Sequence, residues 1–385
     1  MKSQIIGTID KYLSGHDWNK TALGSGDIGY SKQRAFNSSS GLDFLDYSKK
    51  KGVVTLDQFV YKMNRFFSDA GFIEGHRDSV INNYKGDTLF VVAGIQFFCD
   101  YFHGKKGIDT QKYFISQPVI RTKFRESVGE GNVSSFVNIC TVQCGASLEE
   151  HISAIDCWMN FLSSMGLYMG DFSLKLNKNY SRKSGFWANT DGVVLKFYYG
   201  GLELGDAGLI FFKDKPDIQI SDLGFGLERV LWAAAKTPNF SDIIGPKPFS
   251  FENQYAIMDS VRTATLLAAS GMTESHVNQY GQFKKYLEPL SVENNFDSKT
   301  LAKHYFNFWA KFLNPKRDFH ASMHFLESEL NKKRNMEILR RLGIVKSFKN
   351  LSSILLYDTN KFIDELRQKR LATLDQVKSA YQRNK

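Results

Sequence analysis

Apolar residues recur along this chain in two rhythms. From Leu56 to Ala70, Phe59, Val60, Met63, Phe66 and Phe67 fall at helical spacing, and Asp57 sits in the first turn, where a negative charge favours the helix dipole. Further helices are predicted near Ile5 to Leu13, at Leu148 to Met165 and at Gly226 to Ala235. Between them run short segments rich in β-branched and aromatic residues: Leu89 to Ala93, Tyr113 to Arg121, Ser135 to Val142, Gly192 to Tyr199, Ala207 to Phe212 and Asp217 to Ser221. Many strands with few crossover helices predict an antiparallel sheet with helices packed on it. After Asn253 the helical rhythm takes over, through 255–270, 279–287, 298–312, 319–330, 336–342 and 361–382. The expected organisation is an α+β chain in three parts. Residues 1–50, rich in Ser, Gly, Asn and Asp, form an extension of loops after its first helix; 51–252 carry the sheet; 253–385 are all-α.

Composition sharpens this only in part. A content of 42% apolar and 14% aromatic residues suits a folded globular chain with a substantial core, and the formal charge of +10 favours a polyanionic partner such as nucleic acid or a phosphate-rich ligand. Residues 331–385 hold 14 Lys or Arg against 5 Asp or Glu, an excess able to grip phosphates or to form a solvated helical face. The four cysteines, Cys99, Cys140, Cys144 and Cys157, include no C-x-x-C pair, so reduced thiols and a cytoplasmic location are expected. His320 and His324 stand four apart on a predicted helix, but no later Cys or His completes a ligand set, and no metal site is expected there. The most apolar stretch, 88–102, is interrupted by Gln96 and Asp100; neither a membrane span nor a signal peptide is expected.

Two segments carry candidate chemistry. In Asp222-Leu223-Gly224-Phe225-Gly226-Leu227-Glu228-Arg229, two glycines between a strand and an apolar helix let backbone approach a ligand, and Arg229 opens the helix with a fixed cation. Taken alone, the run is equally an ordinary strand-to-helix turn with a solvated Glu-Arg pair. The second segment runs from Ser116 to Phe136. A strand ending in Arg121, a polar basic loop and a strand opening with Phe136 would put a guanidinium and an aromatic face on one side of a hairpin. That combination suits a nucleotide, because arginine matches phosphate oxygens in two-point geometry and a ring stacks on a purine.

The order of these pieces resembles the catalytic part of the alanyl-tRNA synthetases, which are class II aminoacyl-tRNA synthetases, from Leu56 to about Leu290. Asp87-Thr88-Leu89-Phe90 with Ala93-Gly94-Ile95-Gln96-Phe97 is similar to the family's "PTLLF...AGMNQF" block, Gln117 to Arg121 to its motif 2 arginine segment, and Glu126-Ser127-Val128-Gly129 to "LENVG". Asp222 to Arg229 resembles motif 3, "DTGMGLER", and Tyr255 to Ser270 with Gly271-Met272 resembles a further helix of the family.

The resemblance implies a class II synthetase-like antiparallel sheet and ATP-dependent activation of alanine or another small amino acid, with Mg²⁺. The acceptor implied is tRNA, read by the basic helical part. Arg121 would hold the α-phosphate and Arg229 the γ-phosphate end; Glu126, Phe136 and Gly226 would line the ATP site, with Phe136 on the adenine. Asp222 would hold the α-ammonium group, and Gly224, Trp187, Asp206 and Gly208 would line the amino-acid pocket. The chain departs from the family in a shorter loop after Arg121, in Asn132 to Ile139 standing for "RHHTFFEM", and in Asp206 and Gly208 where an asparagine and a valine are usual. The motif 1 proline has no counterpart after Gly71, and the family's editing and C-terminal domains have none in these 385 residues. Two other functions fit the same residues: a stand-alone paralogue that passes the amino acid to a small molecule or carrier protein in a biosynthetic pathway, and an inactive RNA-binding paralogue.

Overall fold

The computed structural model describes residues 1–33, 35–36, 55–77, 79–84, 87–98, 110–129, 131–182, 189–245, 255–292, 298–344, 354–369, 371–373, 376 and 379. They fall into two compact units, one of residues 1–78, 91–119 and 127–247, the other of 79–90, 120–126 and 248–385.

The first unit is built on a nine-stranded sheet. Its strands are β1 (Asn19–Ala22), β2 (Ile28–Ser31), β3 (Ile73–Glu74), β6 (Tyr113–Ile120), β7 (Ser135–Cys144), β8 (Phe172–Arg182), β9 (Thr190–Tyr199), β10 (Leu202–Phe212) and β11 (Lys215–Gly226), in the spatial order β1-β2-β8-β9-β10-β11-β7-β6-β3. The ladders from β1 through β7 are antiparallel, and the two-residue edge strand β3 runs parallel to β6. Strands β4 (Ile81–Tyr84) and β5 (Asp87–Phe90) form a separate antiparallel ribbon in the second unit. The expected segment Leu89 to Ala93 is therefore half strand; Gly94–Phe98 is a short 3-10 turn.

Side-chain alternation splits the sheet into two unlike faces. The odd-numbered residues of β7 and β11 meet helix α3 (Leu148–Ser164), against which α1 (Lys2–Gly15) and α2 (Leu56–Asp69) pack. Trp158 of α3 stacks on Phe225 at 4.2 Å and donates its indole N–H to Thr141 Oγ1 at 2.8 Å, so the largest side chain of that core is both buried and satisfied. Phe59, Phe66 and Phe67 of α2 all touch Phe161, and Phe67 stacks on Phe114 at 4.6 Å. Helices α2 and α3 each start with a capping box, Thr55 with Gln58 and Ser147 with Glu150.

The N-terminal residues correct one expectation. Residues 19–22 and 28–31 are not loops: β1 and β2, joined by a turn, continue the sheet through Ile28↔Leu176 and Tyr30↔Leu174, and Ile5, Ile9 and Leu13 of α1 are buried. The segment is polar in composition because β1 lies at an open edge with every residue exposed, and exposure hides a strand from a hydrophobicity pattern.

His151 of α3 is fully buried, with Nδ1 against Ser221 Oγ at 2.8 Å, and burial pushes its pKa down from 6.5 to about 3. Above pH 6.5 the ring is neutral folded or unfolded; between 6.5 and 3 only the unfolded chain takes the proton, so stability falls as the pH falls through that window. Between pH 6.5 and 5 the loss is expected to be about 1.5 kcal/mol. Urea midpoints at those two pH values check it, and His151→Asn should lose much less over the same interval.

The second unit is helical: α5 (Tyr255–Ala269), α6 (Val277–Tyr286), α7 (Ser298–Trp309), α8 (Phe319–Arg341) and α9 (Thr359–Gln368), where α4 is kept for Leu227–Ala235 of the first unit. Helix α8 absorbs the two separate helices expected at 319–330 and 336–342, because the polar run between them, Asn331 to Asn335, is one more stretch of its surface and ends in the buried Asn335. Asn335 donates to the carbonyls of Leu355 and Tyr357. Arg262 of α5, 1% exposed, lies over the rings of Tyr305, Phe308 and Trp309 at 5.4, 4.4 and 4.4 Å, a cation–π environment that compensates burial of the charge. No described helix is long and apolar enough to cross a membrane.

Candidate active site

The other face of the first unit's sheet is apolar in one part, where Cys140, Val142, Cys144, Phe212 and Ile220 pack with Ile95 and Phe98, and polar in another. Register fixes what lies on it. One row across the strands runs Lys175 (β8), Lys196 (β9), Asp206 (β10), Gly224 (β11), Cys140 (β7); the next runs Asn177, Val194, Gly208, Asp222, Val142. Directly opposed residues share a face, so Asp206, Gly208, Asp222 and Gly224 form a two-by-two block with each carboxylate opposite a glycine. Phe136 and Asn138 stand on the same face of β7, four and two residues before Cys140.

The charges on this face are organised in pairs. Lys175 and Lys196 oppose one another, and each is drawn to an acid: Lys175 to Asp27 at 3.4 Å, Lys196 to Glu203 at 2.9 Å. The Tyr198 hydroxyl also reaches Glu203, at 3.4 Å, and its pKa is raised, first by burial and then by Glu203 and Asp206. The Cys140 thiol is pushed well up by burial and by the charge of Asp222, which keeps it protonated and makes it a poor nucleophile.

The glycine-rich run is strand, contrary to its expected place in a turn. Gly224 and Gly226 are paired with Cys140 and Asn138, and helix α4 (Leu227–Ala235) begins only at Leu227. Pairing on both sides holds the run extended where the local sequence alone favours a bend. The Glu-Arg pair that ends it is not a solvated surface. Glu228 is 3% exposed and its carboxylate oxygens accept from the Val137 N–H at 3.2 Å. Arg229, in the first turn of α4, donates Nε to the carbonyl of Gly131 at 2.7 Å, one terminal nitrogen to the carbonyl of Glu203 at 2.7 Å and the other to Asn132 Oδ1 at 2.6 Å.

Of the residues singled out from the sequence, the first unit brings together Phe136, Asp206, Gly208, Asp222, Gly224, Gly226 and Arg229. Arg121 directly follows β6 and, with Glu126, is grouped in the second unit. Trp187 lies outside the described residues. Sequence reasoning missed Lys196, Glu203, Asn132 and Asn138. The first two had a partial signal: Gly200-Gly201 marks a tight hairpin, and counting out from it sets Glu203 opposite Tyr198, but Lys196 faces Asp206 only through a register shift between Glu203 and Gly205. Asn138 had none; its Oδ1 accepts from Gly94 N at 2.8 Å and its Nδ2 donates to Phe225 O at 3.3 Å, contacts across 44 and 87 residues.

No family model matches the chain. Among curated proteins it is similar to aminoacyl-tRNA synthetases of one kind. An alanine–tRNA ligase of Saccharolobus islandicus (strain M.14.25 / Kamchatka #1) is 23% identical over 277 residues, and one of Staphylothermus marinus 24% over 281, each alignment covering 67% of this chain. That of Methanoculleus marisnigri is 24% identical over 260 residues, 59% of this chain. The chain is thus a distant homologue of alanine–tRNA ligases, and it spans 30% of the length of the first two relatives and 28% of the third. A solved pyrrolysyl-tRNA synthetase of Desulfitobacterium hafniense aligns with a TM-score of 0.38 at 16% identity, over 51% of this chain and 75% of its own.

Proposed function

We propose that the polar part of this face of the first unit's sheet is the amino-acid and nucleotide site of an enzyme that activates alanine, or another small amino acid, with ATP and passes it to tRNA. The observation that carries this reading is the block of Asp206, Gly208, Asp222 and Gly224: half-buried carboxylates beside side-chain-free positions on the sheet face opposite helix α3. The Asp222 carboxylate would take the α-ammonium group in a charge-assisted hydrogen bond, which selects an amino acid over a hydroxy acid. The glycines leave room for a small side chain, and the Phe136 ring would stack on adenine.

The chemistry asks little else of the protein. A carboxylate oxygen of the amino acid attacks the α-phosphorus, a new P–O bond forms, and the bond to the β-phosphate oxygen breaks to release pyrophosphate. No protein nucleophile takes part; positioning and charge compensation are enough. Arg229 would face the departing polyphosphate. Among the described residues no group of three or more His, Cys, Asp or Glu could hold a metal, so Mg²⁺ would be carried mainly by the phosphates and would neutralise their charge there.

The acceptor is proposed from the second unit. Several of its described cations are matched with acids: Lys332 with Glu274, Lys333 with Glu288 at 3.6 Å, Arg340 and Arg341 with Glu337 at 3.6 and 3.1 Å. Such exposed pairs are worth at most about 1 kcal/mol, so nucleic-acid phosphates can compete for these side chains. The test is pyrophosphate exchange into ATP with each of the twenty amino acids, followed by charging of a tRNA pool. Exchange with one small amino acid is expected; no exchange with any of them refutes the reading, and Arg121→Ala measured alongside decides whether that second arginine takes part.

A further inference from the structure

We infer that the cleft between helices α2 and α3 is a second ligand site, built for a free α-amino acid with an apolar side chain. It goes beyond the adenylation reading and does not rest on it. The cleft has a volume of about 300 Å³ and lies wholly within the first unit, a size at the small end of ligand sites. Gln143 forms part of its wall, and an odd-numbered residue of β7 faces the helices. The cleft therefore opens on the side of the sheet away from Asp206 and Asp222.

Three kinds of wall meet there. Phe66 and Phe72 supply an apolar one. Lys112, directly before β6, supplies a cation, and it makes no ion pair or side-chain hydrogen bond among the described residues. Asp156 of α3 supplies an anion. Its oxygens accept from neutral donors, the Tyr12 hydroxyl at 2.7 Å and the Asn160 amide at 3.0 Å, which fix the direction of the carboxylate and leave its charge without a counter-ion. Both charges reach the Cys157 thiol: burial and then Asp156 push its pKa up to about 11, while Lys112 acts in the opposite sense. The other acid of the wall, Glu150, is engaged elsewhere, because it closes the capping box and sits in the first turn of α3, where the helix dipole balances its charge. One cation and one anion thus remain to be matched, beside aromatic rings. A ligand that matches them brings a carboxylate for Lys112, an ammonium group for Asp156 and an apolar group for Phe66 and Phe72, and an α-amino acid carries all three on one carbon.

Calorimetric titration of the full chain with each of the twenty amino acids tests this, on wild type and on Asp222→Asn, in which the proposed active site is disabled. An amino acid with an apolar side chain is expected to bind the Asp222→Asn protein. Adding Lys112→Met to that chain should weaken this binding by about tenfold or more, the scale of one charge-assisted hydrogen bond, with the unfolding temperature unchanged. Lys112→Arg keeps the charge and should recover most of the affinity, and the bound amino acid should slow maleimide alkylation of Cys157 read by peptide mapping. Two results overturn the inference: no binding to either protein by any of the twenty, or binding to the Asp222→Asn protein that Lys112→Met leaves unchanged. Binding that depends on Lys112 in a wild-type chain without pyrophosphate exchange would keep this site and refute the adenylation reading alone.

Discussion

Asp222→Asn is expected to lower kcat/KM for the amino acid in ATP–pyrophosphate exchange on the order of a hundredfold, the upper range for losing one hydrogen bond to a charged group. The substitution keeps the shape of the side chain and removes only its charge. Asp222 stands on β11 with Gly208 on one side and Val142 on the other, so no bulky neighbour needs to shift. The loss should fall on KM for the amino acid more than on KM for ATP, because the proposed partner is the α-ammonium group. Thermal unfolding should move little. Undiminished exchange by a folded Asp222→Asn protein would remove the carboxylate from the mechanism, and with it the reason for reading the block of aspartates and glycines as a substrate site.

Gly205→Ala is expected to be the most damaging single methyl in the sheet. A Cβ there would meet the Gly224 carbonyl oxygen at 2.3 Å and the Phe225 ring at 2.6 Å. Neither can give way cheaply. The carbonyl belongs to a strand paired on both sides, and Phe225 is held between Trp158 at 4.2 Å and Phe197 at 5.2 Å. Overpacking of this kind costs about 3 kcal/mol, which in a unit of this size lowers Tm on the order of 10 °C. The register of Asp206 against Gly224 lies one residue away, so exchange activity should fall as well. Gly281→Ala is the matching control: nothing lies within 4 Å of its Cβ, it sits in helix α6, and the change should stabilise by up to about 1 kcal/mol. Calorimetric melting of the two variants checks both, and a Gly205→Ala protein melting with the wild type would mean that this crossing of β10 and β11 is looser than its distances imply.

Much of the architecture was legible in the sequence. Helix α2 and strands β7 and β9 carry periodic apolar residues, and each lies within a few residues of its predicted span. Elements without that contrast were lost: β1 is wholly exposed, β8 mixes lysines and asparagines into its polar face, and β11 was cut short at Ser221 because glycine is a poor strand former by itself. The span predicted from 361 to 382 is interrupted rather than continuous: helix α9 stops at Gln368, residues 371–373 are not helical, and residues 376 and 379 are helical again.

The candidate site divides along the same line. Local sequence determined that a Gly-rich, acid-bearing run joins a strand to a helix whose first turn carries Glu228 and Arg229, because that information sits in eight consecutive residues; that the run is itself strand was decided by its pairing. Only the tertiary structure decided that Asp206 and Asp222 share a face with two glycines, that Glu228 is buried against Val137, and that Arg229 is held by Asn132 and Glu203. The physical reason is register. Alternation sorts a strand's residues into two faces, but which face meets the helices and which residue stands opposite which depend on hydrogen-bond ladders between segments dozens of residues apart, and no window of sequence contains both partners.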